Sequence, residues 1–279
     1  MEALGPTFTA ELFAPLHAAL VELLDGLAPA DWERPAIAGA WRVRDVAAHL
    51  LEIDLRRLSV GRDGHRIEPG PPMEGYADLV GFLNDLNRHW IAVAQRFSPR
   101  LLVQLLEFSG PEMARLVTSL PPHGPAPFAV DWAGERSSEN WFDIGRDFTE
   151  RWHHQMQIRI AVGAPGLLQS SWLRPVLDIS VRALPRAYAG RSASDGTSIV
   201  LEVAVDSGAA AWSLRRGMDA WQVWRGAASE PAARVRLDAD TAWRLFFNGL
   251  TAAEARERAT VEGDAALAEP LFGTRAIIG

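Results

Sequence analysis

The spacing of apolar residues changes near residue 190, and this change limits the chain to a helical part followed by a part that contains a sheet. Before that point apolar residues recur every three or four positions, as the leucines of residues 8–26 do, which is the period of an α-helix. After it, short β-prone runs such as 197–206 are separated by turn residues. We therefore predict two domains, over 1–190 and 196–279, joined by a Gly/Ser-rich boundary.

The helical part contains six segments with the period of a helix. They are predicted over residues 8–26, 43–59, 74–97, 99–119, 138–162 and 171–188. Gly110–Pro111 predicts a break in the fourth segment. Ser137 or Ser138 is expected to cap the fifth segment, and Gly163 to end it. Together these segments predict a helical bundle.

The part after residue 190 alternates strands with short helices. The strands are predicted over 197–206, 210–216, 220–225, 233–237 and 259–262, and the helices over 241–248, 252–258 and 264–272. Gly217–Asp219 has the composition of a hairpin turn. This part is predicted to be a small α/β domain.

Composition excludes several classes of function. The 279 residues contain no cysteine, which excludes disulfides, thiolate metal sites and a cysteine nucleophile, so any thiol chemistry needs a thiol from outside. The net charge is −7 and the basic residues are scattered arginines, which argues against nucleic-acid binding. The chain contains no run of about 18 apolar residues, so no membrane span is predicted. The N-terminal residues lack the pattern of a signal peptide, so a cytoplasmic location is expected.

Seven histidines are present. One of them, His154, belongs to a polar stripe on a predicted helix, and this stripe contains the first candidate metal ligands. Glu150 and His154 are four apart on a predicted helix, so their side chains lie about 40° apart on one face and are able to supply two ligands to one cation. The same stripe carries Asp143, Asp147 and Gln157. The alternative is an ordinary solvent-facing acid–base pair.

The remaining histidines differ in their surroundings. His17 and His89 lie on helices and His65 and His123 in Gly/Pro-rich loops, where structural or solvated roles are expected. His49 follows Val46-Ala-Ala on an apolar helix face, where its ring is costly to bury without a partner. It is therefore either a buried histidine bonded to a carbonyl or carboxylate, or a third ligand that meets Glu150 and His154 across the bundle. Two nitrogens, one carboxylate and an open position are typical of a catalytic zinc site.

Two sequence motifs resemble those of the DinB and mycothiol-dependent maleylpyruvate isomerase family. Trp41-Arg-Val-Arg-Asp-Val-Ala-Ala-His49-Leu resembles the W-x-V-x-D-V-x-x-H-L signature that opens the second helix of that family. The stretch Glu150-Arg-Trp-His-His154 resembles its E-x-x-x-H signature. The resemblance implies a DinB-like up-down four-helix bundle with an extra helix, with His49, Glu150 and His154 as metal ligands. Asp240-Thr-Ala-Trp243 and Val261-Glu-Gly263 resemble the small sterol-carrier-like α/β domain of some members.

The same resemblance implies a chemistry. The cation is expected to be zinc, with nickel as the alternative, and a mycothiol-like thiol is the cosubstrate. The implied enzyme is a maleylpyruvate-type cis–trans isomerase or a thiol S-transferase that acts on a small electrophile or carboxylate, and a homodimer is the implied assembly. An arginine of the second domain is expected to serve the site, with Arg215, Arg216 and Arg225 as candidates.

Several alternatives stay open at this level. His153 stands beside His154, but one residue turns a side chain by about 100° on a helix, so Glu150 should pair with His154. Glu52 either orients His49 or is a surface acid, and the tryptophans at positions 41, 141 and 152 either line a pocket or pack between helices. A protein of DinB fold that binds metal or an apolar ligand without turnover is the competing function.

Overall fold

The computed structural model describes residues 1–37, 39–65, 75–206 and 208–278, and these residues fold into two compact units. The first, called here the bundle unit, consists of Phe8–Pro127 and Glu139–Gly166. The second, called the sheet unit, consists of Met1–Thr7, Phe128–Ser138 and Leu167–Gly279. Residues 167–190 thus lie in the sheet unit. A compact unit is not the same as an independently folding domain, so the division into 1–190 and 196–279 stays a prediction.

Among the described residues, the bundle unit contains five α-helices, and their packing confirms a bundle with an extra helix. They are α1 (Phe13–Asp25), α2 (Val43–Arg57), α3 (Tyr76–Ala94), α4 (Pro99–Ser119) and α5 (Asn140–Val162). Both α4 and α5 pack against α1 and α2, which closes a ring of four helices, and α3 packs on α2. Helix α2 continues as a π-helical turn over Leu58–Arg62. The Gly/Pro-rich loop that contains His65 lies mostly outside the described residues, since residues 66–74 are not among them.

The ends of α2 and α5 follow from local hydrogen bonding. The Asp45 carboxylate accepts a 2.9 Å hydrogen bond from the Arg42 backbone N–H and so caps the start of α2. The prediction that Ser137 or Ser138 caps α5 is wrong, because Glu139 is the N-cap residue and the Ser138 hydroxyl accepts a bond from the Val130 N–H. Gly163 ends α5 as predicted, with a φ of 71° in the left-handed region that favours glycine.

Helix α4 runs without a break, so the predicted interruption at Gly110–Pro111 is wrong. The buried residues Leu102, Leu106 and Met113 keep one apolar face along the whole helix. Burial of that face outweighs the cost of about 3 kcal/mol for an interior proline. Gly110 itself lies against the imidazole of His17, and an added Cβ atom would clash with the ring.

The close approach at Gly110 yields a prediction about stability. The change Gly110→Ala should lower the free energy of unfolding by about 1–3 kcal/mol, because the added methyl group forces the His17 ring out of place. Gly81→Ala is the matched control, since a Cβ on this exposed position of α3 meets nothing within 4 Å. It should stabilise the protein by roughly 0.4–1 kcal/mol. Urea denaturation measures both, and equal effects of the two variants would contradict the packing described for His17.

The sheet unit joins a mixed sheet to short helices. Its strands are β1 (Glu2–Ala3), β2 (Ser198–Val205), β3 (Gly208–Arg216), β4 (Trp221–Arg225), β5 (Ala233–Leu237) and β6 (Thr260–Gly263). Its helices are α6 (Ser170–Ser180), α7 (Leu184–Ala187), α8 (Ala239–Phe246), α9 (Ala252–Arg258) and α10 (Ala265–Phe272). The strand order is β1-β4-β3-β2-β5-β6. Among the strands that the structure describes, β2 and β5 pair in parallel and all other neighbours are antiparallel.

The predicted strands and the hairpin are confirmed, while two features differ from prediction. The Gly217 N–H donates to the Ala220 carbonyl at 2.9 Å and closes the β3–β4 turn. The segment predicted as one helix over 171–188 is α6 and α7 joined by a 3-10 turn at Val181–Ala183. Strand β1 was not predicted, because two residues are too few to show a period. Among the described residues, no helix is both long enough and apolar enough to cross a bilayer.

Candidate metal centre

Helices α2 and α5 bring His49 together with Glu150 and His154. The rings of His49 and His154 stand edge to face with their centres 4.7 Å apart. The His154 Nε2 atom lies 3.5 Å from the Glu150 Oε2 atom, one helical turn away. All three side chains are shielded from solvent, since His49 is 7% exposed and the side chains of His154 and Glu150 are 8% and 19% exposed. The pair on α5 is therefore not a solvent-facing acid–base pair.

The spacing of the two rings suits a shared cation. Imidazoles that bind one zinc ion do so at about 2.0–2.1 Å, which puts their ring centres on the order of 5 Å apart. The Nδ1 atom of His49 is buried and has no hydrogen-bond partner among the described residues. A buried nitrogen of this kind is costly unless something binds it, and a cation is one group that does.

Gln157 fixes the protonation of His154. The His154 Nδ1 atom is 2.8 Å from the Gln157 Oε1 atom, an acceptor, so the N–H of the neutral ring is on Nδ1. The lone pair is then on Nε2, the nitrogen beside Glu150. Outer hydrogen bonds of this type orient histidine ligands in metal sites.

His153 completes a second candidate cluster. Ligand atoms of Glu150, His153 and His154 lie within 4.8 Å of one another, a set that does not include His49. The Nδ1 atom of His153, however, donates to the Thr149 carbonyl at 3.1 Å, and it is this atom that lies 3.8 Å from Glu150. A protonated nitrogen offers no lone pair to a cation. The Nδ1 atom of His153 is therefore not a ligand, and the choice of His49 as the partner of Glu150 and His154 stays a prediction.

Burial and neighbouring charges keep the imidazoles of His49 and His153 neutral and the carboxyl group of Glu150 ionised. Burial lowers the pKa of His49 well below its usual value, and the charge of His154 lowers it further. Burial also lowers the pKa of His153, again with a contribution from His154. Burial alone would raise the pKa of Glu150, but the imidazole of His154 and the other neighbouring histidines hold it below the usual range. Neutral imidazole and anionic carboxylate are the forms that bind metal.

Trp41 lies over both imidazoles. Its ring centre is 5.0 Å from that of His49 and 6.2 Å from that of His154. Of the three tryptophans considered from sequence, this one walls the site. Trp152 is fully buried, and Trp141 stacks on Phe142.

A buried ionic network joins the same two helices next to the site. Arg57 of α2 donates to both carboxylate oxygens of Asp143 on α5, at 2.7 and 2.8 Å, and its Nε atom lies 3.4 Å from Asp147. Arg151 of α5 pairs with Asp54 of α2, which also accepts a 2.6 Å hydrogen bond from Ser109. Sequence analysis missed this network, although the acidic stripe on α5 was its signal.

Glu52 does not orient His49. Its Oε1 atom accepts a 2.8 Å hydrogen bond from the Nε atom of Arg56, one turn further along α2. The remaining histidines have structural or solvated positions, as expected. His17 is packed against Gly110, His123 is exposed and lies 3.0 Å from Glu139, and His65 and His89 are exposed.

The three candidate arginines all lie on strands of the sheet unit. Arg215 and Arg216 end β3, where Arg215 is exposed and Arg216 donates to the Met218 carbonyl at 3.4 Å. Arg225 ends β4 and pairs with Asp178 at 2.9 Å and with Glu2 at 3.3 Å. These pairs already occupy the guanidinium of Arg225, and the choice among the three stays a prediction.

Comparison with known proteins identifies the family of the chain. The family model described as "Mycothiol maleylpyruvate isomerase N-terminal domain" matches residues 13–159, which is more than half of the chain. The chain belongs to the mycothiol maleylpyruvate isomerase family. The matched segment contains His49, Glu150 and His154. Among curated proteins, none matches the chain.

Solved structures of the family isomerase share the fold over almost the whole chain. The mycothiol-dependent maleylpyruvate isomerase matches with a TM-score of 0.54 and 14% identity, over 95% of this chain and 98% of that one. A mutant of the same isomerase matches with a TM-score of 0.56 and 13% identity over the same shares. At this identity the likeness shows the fold alone. Sterol carrier protein 2-like 2 from Aedes aegypti matches 35% of this chain with a TM-score of 0.27, which is too low to support an argument.

Proposed function

We propose that this family member is a metal-dependent enzyme that uses a low-molecular-weight thiol such as mycothiol, and that His49, Glu150 and His154 hold its cation. The observation that carries the proposal is the convergence of these side chains from two helices, with ring centres 4.7 Å apart. Zinc is the expected ion and nickel the alternative, since imidazole and carboxylate suit both. A homodimer and a cytoplasmic location remain predictions from the sequence.

The residues of the site have distinct tasks in this proposal. Glu150 supplies a negative charge that attracts the cation. The hydrogen bond to Gln157 keeps a proton on Nδ1 of His154, so that the lone pair on Nε2, beside Glu150, faces the same cation. Trp41 covers the two imidazoles and limits the access of water. A divalent cation bound there would stabilise the thiolate form of a thiol at neutral pH.

Two reactions use such a thiolate. In an isomerase, the sulfur adds to one carbon of a cis double bond, the resulting single bond rotates, and expulsion of the same sulfur restores the double bond in the trans form. In an S-transferase, the sulfur adds to an electrophile and stays attached. The substrate in either case is a small electrophile, and in the isomerase it also carries a carboxylate.

The competing proposal is an apolar-ligand carrier, which needs an open apolar cavity inside the sheet unit. The space lined by Leu184, Tyr188, Leu201, Trp212 and Leu271 has no room for even one water molecule. These side chains pack against each other and fill the region between α7, β2, β3 and α10.

The activity is tested with the two substrates of the family isomerase. Purified protein incubated with mycothiol and maleylpyruvate should form the trans product, and removal of the metal with a chelator should abolish the reaction. If only a generic electrophile consumes mycothiol, the protein is a transferase. No turnover with either substrate, in protein that carries its metal, would reject the enzymatic proposal.

The hydrogen bond to Gln157 gives a prediction about metal affinity. The change Gln157→Leu should weaken metal binding by about 10- to 100-fold, because the His154 ring loses the acceptor that fixes its tautomer and orientation. Competition with a chelating dye measures the affinity. Gln104→Leu, at an exposed position of α4, is the control and should bind as the wild type does. An affinity of Gln157→Leu within twofold of the wild type would contradict the role of this bond.

A further inference from the structure

Arg56 is a cationic residue of α2 on the same side of that helix as His49, and it has no role in the proposed metal centre itself. It is seven residues beyond His49 on α2, which places the two about 20° apart around the helix. Side chains on a helix lean toward its N-terminus, so the Arg56 side chain extends toward the turn that carries His49.

The guanidinium is held at one end and unengaged at the other. Its Nε atom donates to Glu52 at 2.8 Å, and the side chain is 35% exposed. Its Nη1 and Nη2 atoms have no hydrogen-bond or ion-pair partner in the described ranges 1–37, 39–65, 75–206 and 208–278. These two atoms remain able to form the paired hydrogen bonds that an arginine makes with a carboxylate.

Glu52 holds the arginine in that position. One of its carboxylate oxygens accepts the bond from Arg56, and the other is buried without a partner among the described residues. The side chain of Glu52 is only 16% exposed, so the pair is more constrained than an ordinary surface ion pair. Glu52, Glu150 and Arg56 together carry a charge of −1, and a divalent cation would bring the site to +1. Such a site favours an anionic ligand.

We propose that Arg56 binds the carboxylate of a small substrate at the metal centre, with Glu52 as the residue that positions it. The proposal rests on the proposed function, because it places the substrate at the His49, Glu150 and His154 centre. It assigns substrate recognition to a residue of α2 itself, independently of the arginines of the sheet unit.

The test uses maleate, a small cis-dicarboxylate, as the probe and isothermal titration calorimetry as the readout. The full-length protein loaded with zinc is compared with Arg56→Met, which keeps the apolar stem of the side chain and removes the charge, and with Arg56→Lys. Arg115→Met, at an exposed arginine of α4 that pairs with Glu112, is the control. Metal content is measured by mass spectrometry on each sample.

Arg56→Met should bind maleate about 10- to 100-fold more weakly than the wild type, as expected for loss of charged hydrogen bonds. Arg56→Lys should recover part of the affinity, because it restores the charge without the planar fork. Arg115→Met should bind as the wild type does, all four proteins should carry equal zinc, and dimethyl maleate should not distinguish them.

Two results would overturn the assignment of Arg56 while leaving the metal centre intact. One is maleate affinity of Arg56→Met within twofold of the wild type, and the other is no maleate binding by zinc-loaded wild type. Failure of the wild-type protein to take up zinc would instead refute the proposed function. Metal content thus separates the two failures.

Discussion

The change Asp143→Ala should lower the free energy of unfolding by about 3–5 kcal/mol, the usual cost of removing one partner from a buried ion pair. Asp143 is 2% exposed, and its carboxylate accepts hydrogen bonds from both terminal nitrogens of Arg57. Without the carboxylate, the buried guanidinium loses both of these hydrogen bonds and keeps the 3.4 Å contact of its Nε atom with Asp147. The loss of an ionic partner therefore leaves a charge poorly compensated inside the bundle.

Asp85→Ala is the matched control for this effect. Asp85 forms a 3.0 Å pair with Arg88 on the surface of α3, where both side chains are more than half exposed. An exposed pair of this kind contributes about 0–1 kcal/mol, because water screens it. Urea denaturation of metal-free protein measures both variants. A loss below about 1 kcal/mol for Asp143→Ala would show that Arg57 finds full compensation elsewhere, contrary to the network described.

The second large effect concerns the bound metal. His49→Ala and His154→Ala should each weaken metal binding by more than about 100-fold, because loss of a direct ligand should exceed the 10- to 100-fold cost of losing an outer hydrogen bond. Elemental analysis of protein dialysed against a weak chelator should then find about one ion per wild-type chain and almost none in either variant.

His153→Gln is the variant that separates the two ligand sets. The His153 ring is fully buried, so the change should lower the free energy of unfolding. The metal should remain bound, because the Nδ1 atom of His153 donates to the Thr149 carbonyl and is not a ligand. His123→Ala, at an exposed histidine, controls for loss of any imidazole. Metal loss in His153→Gln together with metal retention in His49→Ala would replace the proposed set by Glu150, His153 and His154.

Local patterns were sufficient to predict most helices and strands of both units, though not strand β1 or the turn between α6 and α7. Helix α5 and its end at Gly163 follow from an unbroken apolar period and from a glycine that takes a left-handed conformation. The same helix places Glu150 and His154 on one face, because four residues make slightly more than one turn. These features depend on residues close together in the chain, so the sequence displays them.

Other features depend on packing between distant segments, and no local pattern encodes them. The Ser138 hydroxyl bonds to Val130 and so does not cap α5. Helix α4 keeps Pro111 inside because its apolar face is buried on both sides of that residue. Asp143 and Arg57 are 86 positions apart, and only the packing of α2 on α5 shows that they meet. The approach of His49 to His154 was available from the family motifs but not from spacing.

The most direct test of the metal centre is an anomalous-scattering measurement at the zinc edge on crystals of the zinc-loaded protein. We predict one strong peak per chain, about 2.0–2.2 Å from a nitrogen of His49, from Nε2 of His154 and from a carboxylate oxygen of Glu150. A further coordination position should be left to water or substrate. A peak bound to His153 in place of His49, or no peak near these side chains, would contradict this prediction.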